Sequence, residues 1–181
     1  MVSSYIPTVS SLIRARRNFN TKLRIADAKV LLGAVPYPGG GAEALPETIE
    51  EVITLHTIIP SSNLLTIPIM EDCAQPMVGI QTHGLTQQTV LSQLPSTTIF
   101  HIACHGVQNS ENPLDSGLIL QDGLLKLSTL MGINLQHGFL AFLSACHSAK
   151  GDKKNQDQAV HLAAAMLFVG FQSVVATMWC V

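Results

Sequence analysis

A histidine and a cysteine each close a hydrophobic run in this chain, and together they could perform nucleophilic chemistry. The first run ends at His105-Gly106, and the second ends in Ser144-Ala145-Cys146. A thiol becomes a useful nucleophile when an imidazole keeps it deprotonated or removes its proton during attack. The two motifs therefore predict a cysteine nucleophile assisted by a histidine.

Both hydrophobic runs have the composition of buried strands. Residues 97–104 are rich in β-branched and aromatic side chains, and residues 138–146 are apolar without clean alternation. Continuous apolar strands are typical of a parallel sheet that is covered on both faces. Active sites in open α/β sheets form at the carboxyl ends of the strands. We therefore expect His105 and Cys146 at the ends of two neighbouring strands.

The spacing between the two motifs fits this arrangement. Cys146 follows His105 by 41 residues, an interval that has room for a hairpin, a short helix and a return strand. The hairpin is predicted over 117–127, where two apolar runs flank Gln121-Asp122-Gly123. Adjacent parallel strands require a crossover connection of this kind.

Strands alternate with helices along the rest of the chain. The pattern predicts strands over 29–35, 64–69 and 173–179, and helices over 47–58, 86–94, 128–134 and 158–169. Such alternation favours an α/β fold, a three-layer α/β/α sandwich around a mainly parallel central sheet with the hairpin at its edge. We expect one domain over residues 1–181.

Longer strings surround the two motifs. They read His-Ile-Ala-Cys-His-Gly at 101–106 and Leu-Ser-Ala-Cys-His-Ser-Ala at 143–149, with further strings at 5–12, 113–120, 163–171 and 174–179. Together these strings resemble the CHAT domain, a caspase-like and separase-like group of cysteine peptidases. Each motif is short, but their order and flanks extend the resemblance over nearly the whole chain.

The resemblance implies a caspase-like fold and a regulatory endopeptidase with a Cys-His dyad. Cys146 would attack the peptide carbonyl and form an acyl-enzyme, while His105 would act as general base or protonate the leaving amine. The backbone N–H groups of Gly106 and Cys146 would bind the oxyanion, and glycine at 106 lets the substrate approach the backbone closely. No third residue that orients the histidine is obvious in the sequence, and the resemblance does not require one.

The substrate pocket is marked only by Asp115. Its carboxylate could contact a basic P1 side chain, or it could cap the turn before the strand predicted at 117–120, and the second interpretation is favoured. The resemblance implies protein or peptide substrates, and helical-repeat regulatory regions as partners, because such repeats often precede the domain in this family.

The end of the sequence leaves a second function open. CHAT-like chains normally continue past the strand that contains the tryptophan, whereas this sequence stops at Val181, and no helical repeats precede the domain. We therefore expect a copy that is incomplete at its C-terminus. The alternative to a peptidase is a catalytically inactive interaction module that keeps the fold and binds partners.

Composition favours a globular protein with no nucleic-acid partner. The net charge is -2, with 12% charged and 47% hydrophobic residues. Four widely spaced cysteines without a secretory signal indicate a reducing, cytoplasmic compartment. The basic residues 1–26 could be a mitochondrial targeting segment, but an amphipathic helix of the fold is favoured. The uncharged residues 158–181 are interpreted as a core helix and a strand and not as a membrane span.

Two Cys-His dipeptides, at 104–105 and 146–147, offer an alternative role as four zinc ligands. Adjacent strand residues point to opposite faces, so the four side chains could converge only if both strands ended just before the dipeptides. We therefore expect no metal site and no cofactor. His101 is interpreted as a core or helix-surface histidine.

Overall fold

A six-stranded mixed β-sheet organises the part of the chain that the computed structural model describes, which comprises residues 13, 23–65, 85–107, 109, 111–147 and 158–176. Several predictions lie outside these residues. They are the amphipathic or targeting segment at 1–26 for all but a few positions, most of the strand at 64–69 and the last three residues of the strand at 173–179.

The described elements follow the predicted order. The strands are β1 Val30–Ala34, β2 Ile99–Val107, β3 Gly117–Leu120, β4 Gly123–Lys126, β5 Leu140–His147 and β6 Ser173–Ala176. The helices are α1 Glu47–Ile58, α2 Gln87–Gln93, α3 Leu127–Leu130 and α4 Gln158–Val169. The bounds of α1 and α4 are those that hydrophobic spacing predicts, whereas α3 is shorter than the predicted helix over 128–134.

Local sequence explains where several elements begin and end. The Thr86 side chain caps α2 by accepting a hydrogen bond from the backbone N–H of Thr89 at 3.2 Å. Helix α4 ends at Gly170, whose φ of 126° is costly for any residue with a side chain. Gly123, with a φ of 122°, allows the tight turn between β3 and β4.

The sheet combines parallel and antiparallel pairings. Strands β1, β2, β5 and β6 run parallel to one another, and the β3–β4 hairpin is antiparallel to β2 and within itself. Strand β2 pairs with β1 over residues 99–103 and with β3 over residues 105–107. The prediction of an α/β fold is confirmed. The sheet is mixed because the hairpin returns along the far end of β2, a pairing partner that the strand pattern alone does not reveal.

Alternate residues of β2 enter two separate hydrophobic clusters. Phe100, Ile102 and Cys104 lie in the larger cluster, where Phe100 stacks on Phe171 with ring centroids 6.3 Å apart. Ala103 lies in a small cluster with Val52 of α1. This division follows from the period of two in a strand, and among the described residues the cluster on the α1 side is the smaller one.

No helix within the described ranges is both long enough and apolar enough to cross a lipid bilayer.

Candidate functional site

His105 and Cys146 occupy opposite register positions on two neighbouring parallel strands. Strand β2 carries the histidine, strand β5 carries the cysteine, and the ladder pairs the two Cα positions directly. Both residues lie inside their strands, because β2 continues to Val107 and β5 to His147. The structure therefore brings the two predicted positions together, although the sequence places them at strand ends.

The His105 side chain is buried, with 2% of its surface exposed, and its ring is held by a backbone group. Its Nε2 atom lies 2.7 Å from the carbonyl oxygen of Glu43, which precedes α1. A carbonyl oxygen can only accept a hydrogen bond, so Nε2 carries the proton. In the neutral ring the other nitrogen, Nδ1, is then unprotonated and able to accept a proton.

That second nitrogen has no hydrogen-bond partner among the described residues. The Nδ1 atom of His105 is buried, and no donor in the described part of the chain reaches it. Buried polar atoms are nearly always paired, because leaving one unpaired costs free energy. An unpaired acceptor beside the register position of a cysteine is suited to proton transfer.

The loop between β1 and α1 sets the position of the Glu43 carbonyl. The N–H of Leu45 donates to the carbonyl of Pro36 at 2.8 Å, which closes the loop. The N–H of Gly39 donates to the carbonyl of Leu120 at 3.1 Å, which ties the loop to the β3–β4 hairpin. A Cβ at Gly39 would overlap the carbonyl oxygen of Gln121, so this close approach requires glycine.

The Glu43 carbonyl is the orienting group that sequence reasoning does not find. Every residue carries a backbone carbonyl, so no side-chain motif marks the one that faces His105. The only sequence signal is indirect: the run Gly39-Gly40-Gly41 permits a close loop approach, and Gly40 and Gly41 have φ values of 75° and 77°.

A second polar cluster lies on the α1 side of the same strands. Ser144 of β5 donates a hydrogen bond to Oε2 of Glu51 in α1 at 2.9 Å. The Nε2 atom of His101 in β2 lies 3.0 Å from Oε1 of the same carboxylate, in an alignment that falls short of a hydrogen bond. Sequence reasoning considers Ser144 and His101 separately and does not single out Glu51, because the contact joins residues far apart in the chain.

Of the two interpretations that the sequence leaves open for His101, the structure shows the core one. It is 7% exposed and stacks on Phe142, its register partner in β5, with ring centroids 4.9 Å apart. Burial lowers the pKa of His101 below its ordinary value, against the opposing effect of the Glu51 carboxylate. Burial in the sheet thus favours the neutral form of the His101 ring.

Asp115 lies on a short 3-10 turn before β3. Its carboxylate contacts Nζ of Lys126 in β4 at 2.8 Å and accepts a hydrogen bond from the Asn112 amide at 2.7 Å. These contacts cross the turn and reach the neighbouring strand, and the hydrogen bond from Lys126 lowers the pKa of Asp115. The carboxylate thus has the structural partners that the turn interpretation requires.

The two Cys-His dipeptides do not meet the condition for a zinc site. Both strands run through their dipeptides, and Cys104 is buried in the larger hydrophobic cluster. Within the ranges that the structure describes, no group of three or more histidine, cysteine or acidic side chains is placed to hold a metal ion.

A comparison with protein families finds one that accounts for the chain. The model described as the CHAT domain matches residues 2–181. A search of curated proteins found no match.

Proposed function

The chain belongs to the CHAT domain family, and from this premise we propose that it is a regulatory cysteine endopeptidase that acts through His105 and Cys146. One observation carries the proposal: His105 pairs in register with Cys146 on parallel strands, and its Nδ1 atom is buried and unpaired among the described residues. A caspase-like family with peptidase members supplies the class of reaction.

In the first half of the proposed reaction, the Cys146 thiol gives its proton to Nδ1 of His105. The sulfur attacks the carbonyl carbon of the substrate peptide bond, and the carbonyl electron pair moves onto oxygen. When this intermediate collapses, the carbon–nitrogen bond breaks, and the imidazolium gives the proton to the leaving amine. The hydrogen bond to Glu43 keeps Nε2 protonated throughout, so Nδ1 performs both transfers.

In the second half, a water molecule hydrolyses the acyl-enzyme. Nδ1 of His105 takes a proton from the water, whose oxygen attacks the thioester carbonyl, and the proton returns to sulfur as the acid leaves. We assign the oxyanion to the backbone N–H groups of Gly106 and Cys146. The N–H of Leu140 donates to the carbonyl of Thr98, so alternate residues of β2, Gly106 among them, direct their backbone groups toward β5. The Gly106 N–H thus faces the Cys146 carbonyl, and the substrate oxyanion must displace that ladder contact.

We also propose a caspase-like three-layer arrangement for the fold. Helix α1 contacts β1 and β2 on the side of the small hydrophobic cluster. Helix α4 contacts β5 and β6 and contributes Met166 to the larger cluster. The alternation of β2 residues between the two clusters supports placing these helices on opposite faces of the sheet.

Protein or peptide substrates are proposed from the family. Asp115 is a weak candidate for the P1 pocket, because Lys126 and Asn112 already engage its carboxylate. Helical-repeat regions remain proposed partners, and the cytoplasm remains the proposed compartment.

The deciding experiment is covalent labelling with a peptide that carries a cysteine-directed electrophile. Wild type, Cys146→Ala and His105→Ala are compared, with the labelled residue identified by mass spectrometry. The chain has four cysteines, so Cys73→Ala serves as the matched control. We expect labelling of wild type and Cys73→Ala at Cys146, and loss of labelling in the other two variants.

Two results would contradict the proposal. Equal labelling of wild type, Cys146→Ala and His105→Ala would place the reactive group elsewhere. No labelling of folded wild type by a peptide library with varied P1 residues would favour the alternative, an interaction module that binds partners without cleaving them.

A further inference from the structure

Glu51 joins three elements of the fold through one carboxylate. It extends from α1, accepts a hydrogen bond from Ser144 of β5 and contacts His101 of β2. Its side chain is 35% exposed, whereas the His101 side chain is 9% exposed. The carboxylate therefore lies at the boundary between solvent and the sheet. Its Oε2 atom accepts the hydrogen bond from Ser144, and its Oε1 atom lies beside the His101 ring.

The two strand residues that Glu51 contacts precede the candidate site. Ser144 stands two positions before Cys146 on β5, a strand distance of about 7 Å. His101 stands four positions before His105 on β2, and Ser144 is in register with Ala103 between these two histidines. The polar contacts thus act on the strand segments that lead directly to the two proposed catalytic positions.

Among the described residues, the apolar contact of helix α1 with this side of the sheet is a small cluster. Its Val52 packs in the small cluster with Ala34 and Ala103, and Leu32 packs against that cluster. The same helix follows the loop that presents the Glu43 carbonyl to His105, with Glu43 eight residues before Glu51. A displacement of α1 would therefore disturb the histidine anchor and the cysteine strand together.

We propose that Glu51 is a positioning residue for the site: by holding Ser144 against α1, it fixes the relative positions of Cys146, His105 and the Glu43 carbonyl. This inference rests on the proposed function, because it concerns the distance between the two proposed catalytic side chains, those of Cys146 and His105. Glu51 itself lies between a hydroxyl and an imidazole, so it does not form a second Ser-His relay, in which the imidazole would stand between hydroxyl and carboxylate.

The charge of Glu51 and its positioning effect act in opposite directions. A nearby carboxylate disfavours a thiolate, so removal of the charge alone would increase thiol reactivity. Loss of the contacts would decrease reactivity by displacing the strand or the loop. Glu51→Gln removes the charge but retains a side-chain oxygen that can accept from Ser144, whereas Glu51→Ala removes both.

The test measures the second-order rate of Cys146 labelling by the peptide electrophile in Glu51→Gln, Glu51→Ala, Ser144→Ala and the double variant Glu51→Ala/Ser144→Ala. We expect Glu51→Ala to react at least about tenfold more slowly than wild type. The rate for Glu51→Gln should stay within about threefold of the wild-type rate. Ser144→Ala should slow the reaction. The double variant should be no slower than Glu51→Ala, because the two substitutions remove the same hydrogen bond, the one between Ser144 and Glu51.

Glu50→Ala is the matched control, since Glu50 is the exposed neighbour of Glu51 on the same helix. Urea unfolding of each variant shows what fraction is folded at the labelling temperature, and rates are compared per folded molecule. Wild-type reactivity in Glu51→Ala would overturn the proposal. An equal loss in Glu51→Gln and Glu51→Ala would also overturn it, because glutamine retains an oxygen that can accept from Ser144 and should preserve the positioning contact.

Failure of the proposed function would be seen separately, as absence of peptide labelling in wild type. In that case the same variants are compared by the rate at which iodoacetamide alkylates Cys146. This reagent needs no peptide recognition. The same order of variants, with Glu51→Gln near wild type and Glu51→Ala slowed, supports the positioning role, and identical alkylation rates would overturn it.

Discussion

The Nε2 atom of His105 lies 2.7 Å from the carbonyl oxygen of Glu43, a residue 62 positions earlier in the chain. The group that orients the imidazole therefore belongs to the main chain. Its position depends on how the loop before α1 packs, and the identity of the side chain at 43 has no part in the hydrogen bond.

Glu43→Ala is predicted to leave the site intact. The Glu43 side chain is exposed, and alanine retains the carbonyl that accepts from His105. We expect the rate of peptide labelling to stay within about twofold of wild type, since surface substitutions rarely perturb a fold. A tenfold decrease in a fully folded variant would instead show that the carboxylate takes part in the reaction.

Gly39→Ala should impair the site through the loop. A Cβ at this position would overlap the carbonyl oxygen of Gln121, so the loop must move away from the hairpin and carry the Glu43 carbonyl with it. We expect labelling to become about tenfold slower, because small displacements of an orienting group are costly in rate.

The matched control is Gly41→Ala in the same loop. A Cβ there meets no atom within 4 Å, although the φ of 77° makes alanine unfavourable by about 1 kcal/mol. Its labelling rate should remain close to that of wild type. Equal rates for the two alanine variants would show that the packing of Gly39 against the hairpin does not set the site.

His101 makes the free energy of unfolding sensitive to acid. Burial lowers its pKa in the folded state, so the unfolded chain binds a proton more readily as the pH falls from about 7. Stability is therefore lost between the ordinary histidine pKa and the lower folded-state value, and the loss is complete below the latter.

Replacing this histidine tests that prediction. His101→Gln cannot gain a proton in this range. Its free energy of unfolding, measured with urea, should therefore fall less than that of wild type between about pH 7.5 and about pH 5, which lie on either side of the ordinary histidine pKa. The variant can be less stable at both pH values, because it loses the stacking on Phe142. Parallel pH profiles for the two proteins would refute the assignment.

Asp115→Asn addresses the substrate pocket. Lys126 and Asn112 already engage this carboxylate, so its loss should affect the turn before β3 and leave P1 preference unchanged. Labelling rates across peptides with lysine, arginine, leucine and aspartate at P1 would measure this. A selective decrease for the two basic peptides would assign Asp115 to substrate binding.

Local patterns were sufficient to predict most elements of the fold. Helix α1 begins and ends where the spacing of Ile49, Val52 and Ile53 and the following Pro60 indicate, and the hairpin follows from its Gln-Asp-Gly turn. The choice of neighbour for each strand is a long-range property. For that reason the sequence does not predict the antiparallel pairing of β2 with β3 over residues 105–107, and it predicts an earlier end for β2.

The same limit applies to the candidate site. The residue types of His105 and Cys146, together with the sequences around them, predict that these two positions lie side by side on neighbouring strands. This prediction is possible because the chemistry of the pair belongs to its side chains. The groups that support them do not have a local signature: a backbone carbonyl at 43, and a carboxylate at 51 that meets Ser144 only after α1 packs on the sheet. Residue spacing carries no information on either contact.

One edge of strand β2 pairs with β5 along its length, whereas the other edge pairs with β1 over residues 99–103 and with β3 over residues 105–107. Opening of the hairpin alone would therefore remove one neighbour from the end of β2 that bears His105, while the parallel strands stay joined. Local unfolding of this kind exposes the backbone amides that face the hairpin, so His105 and Val107 should exchange hydrogen with solvent faster than His101 and Ala103, which face β1. A substrate that holds the hairpin closed would slow that exchange, and its binding would be coupled to the order of the histidine strand.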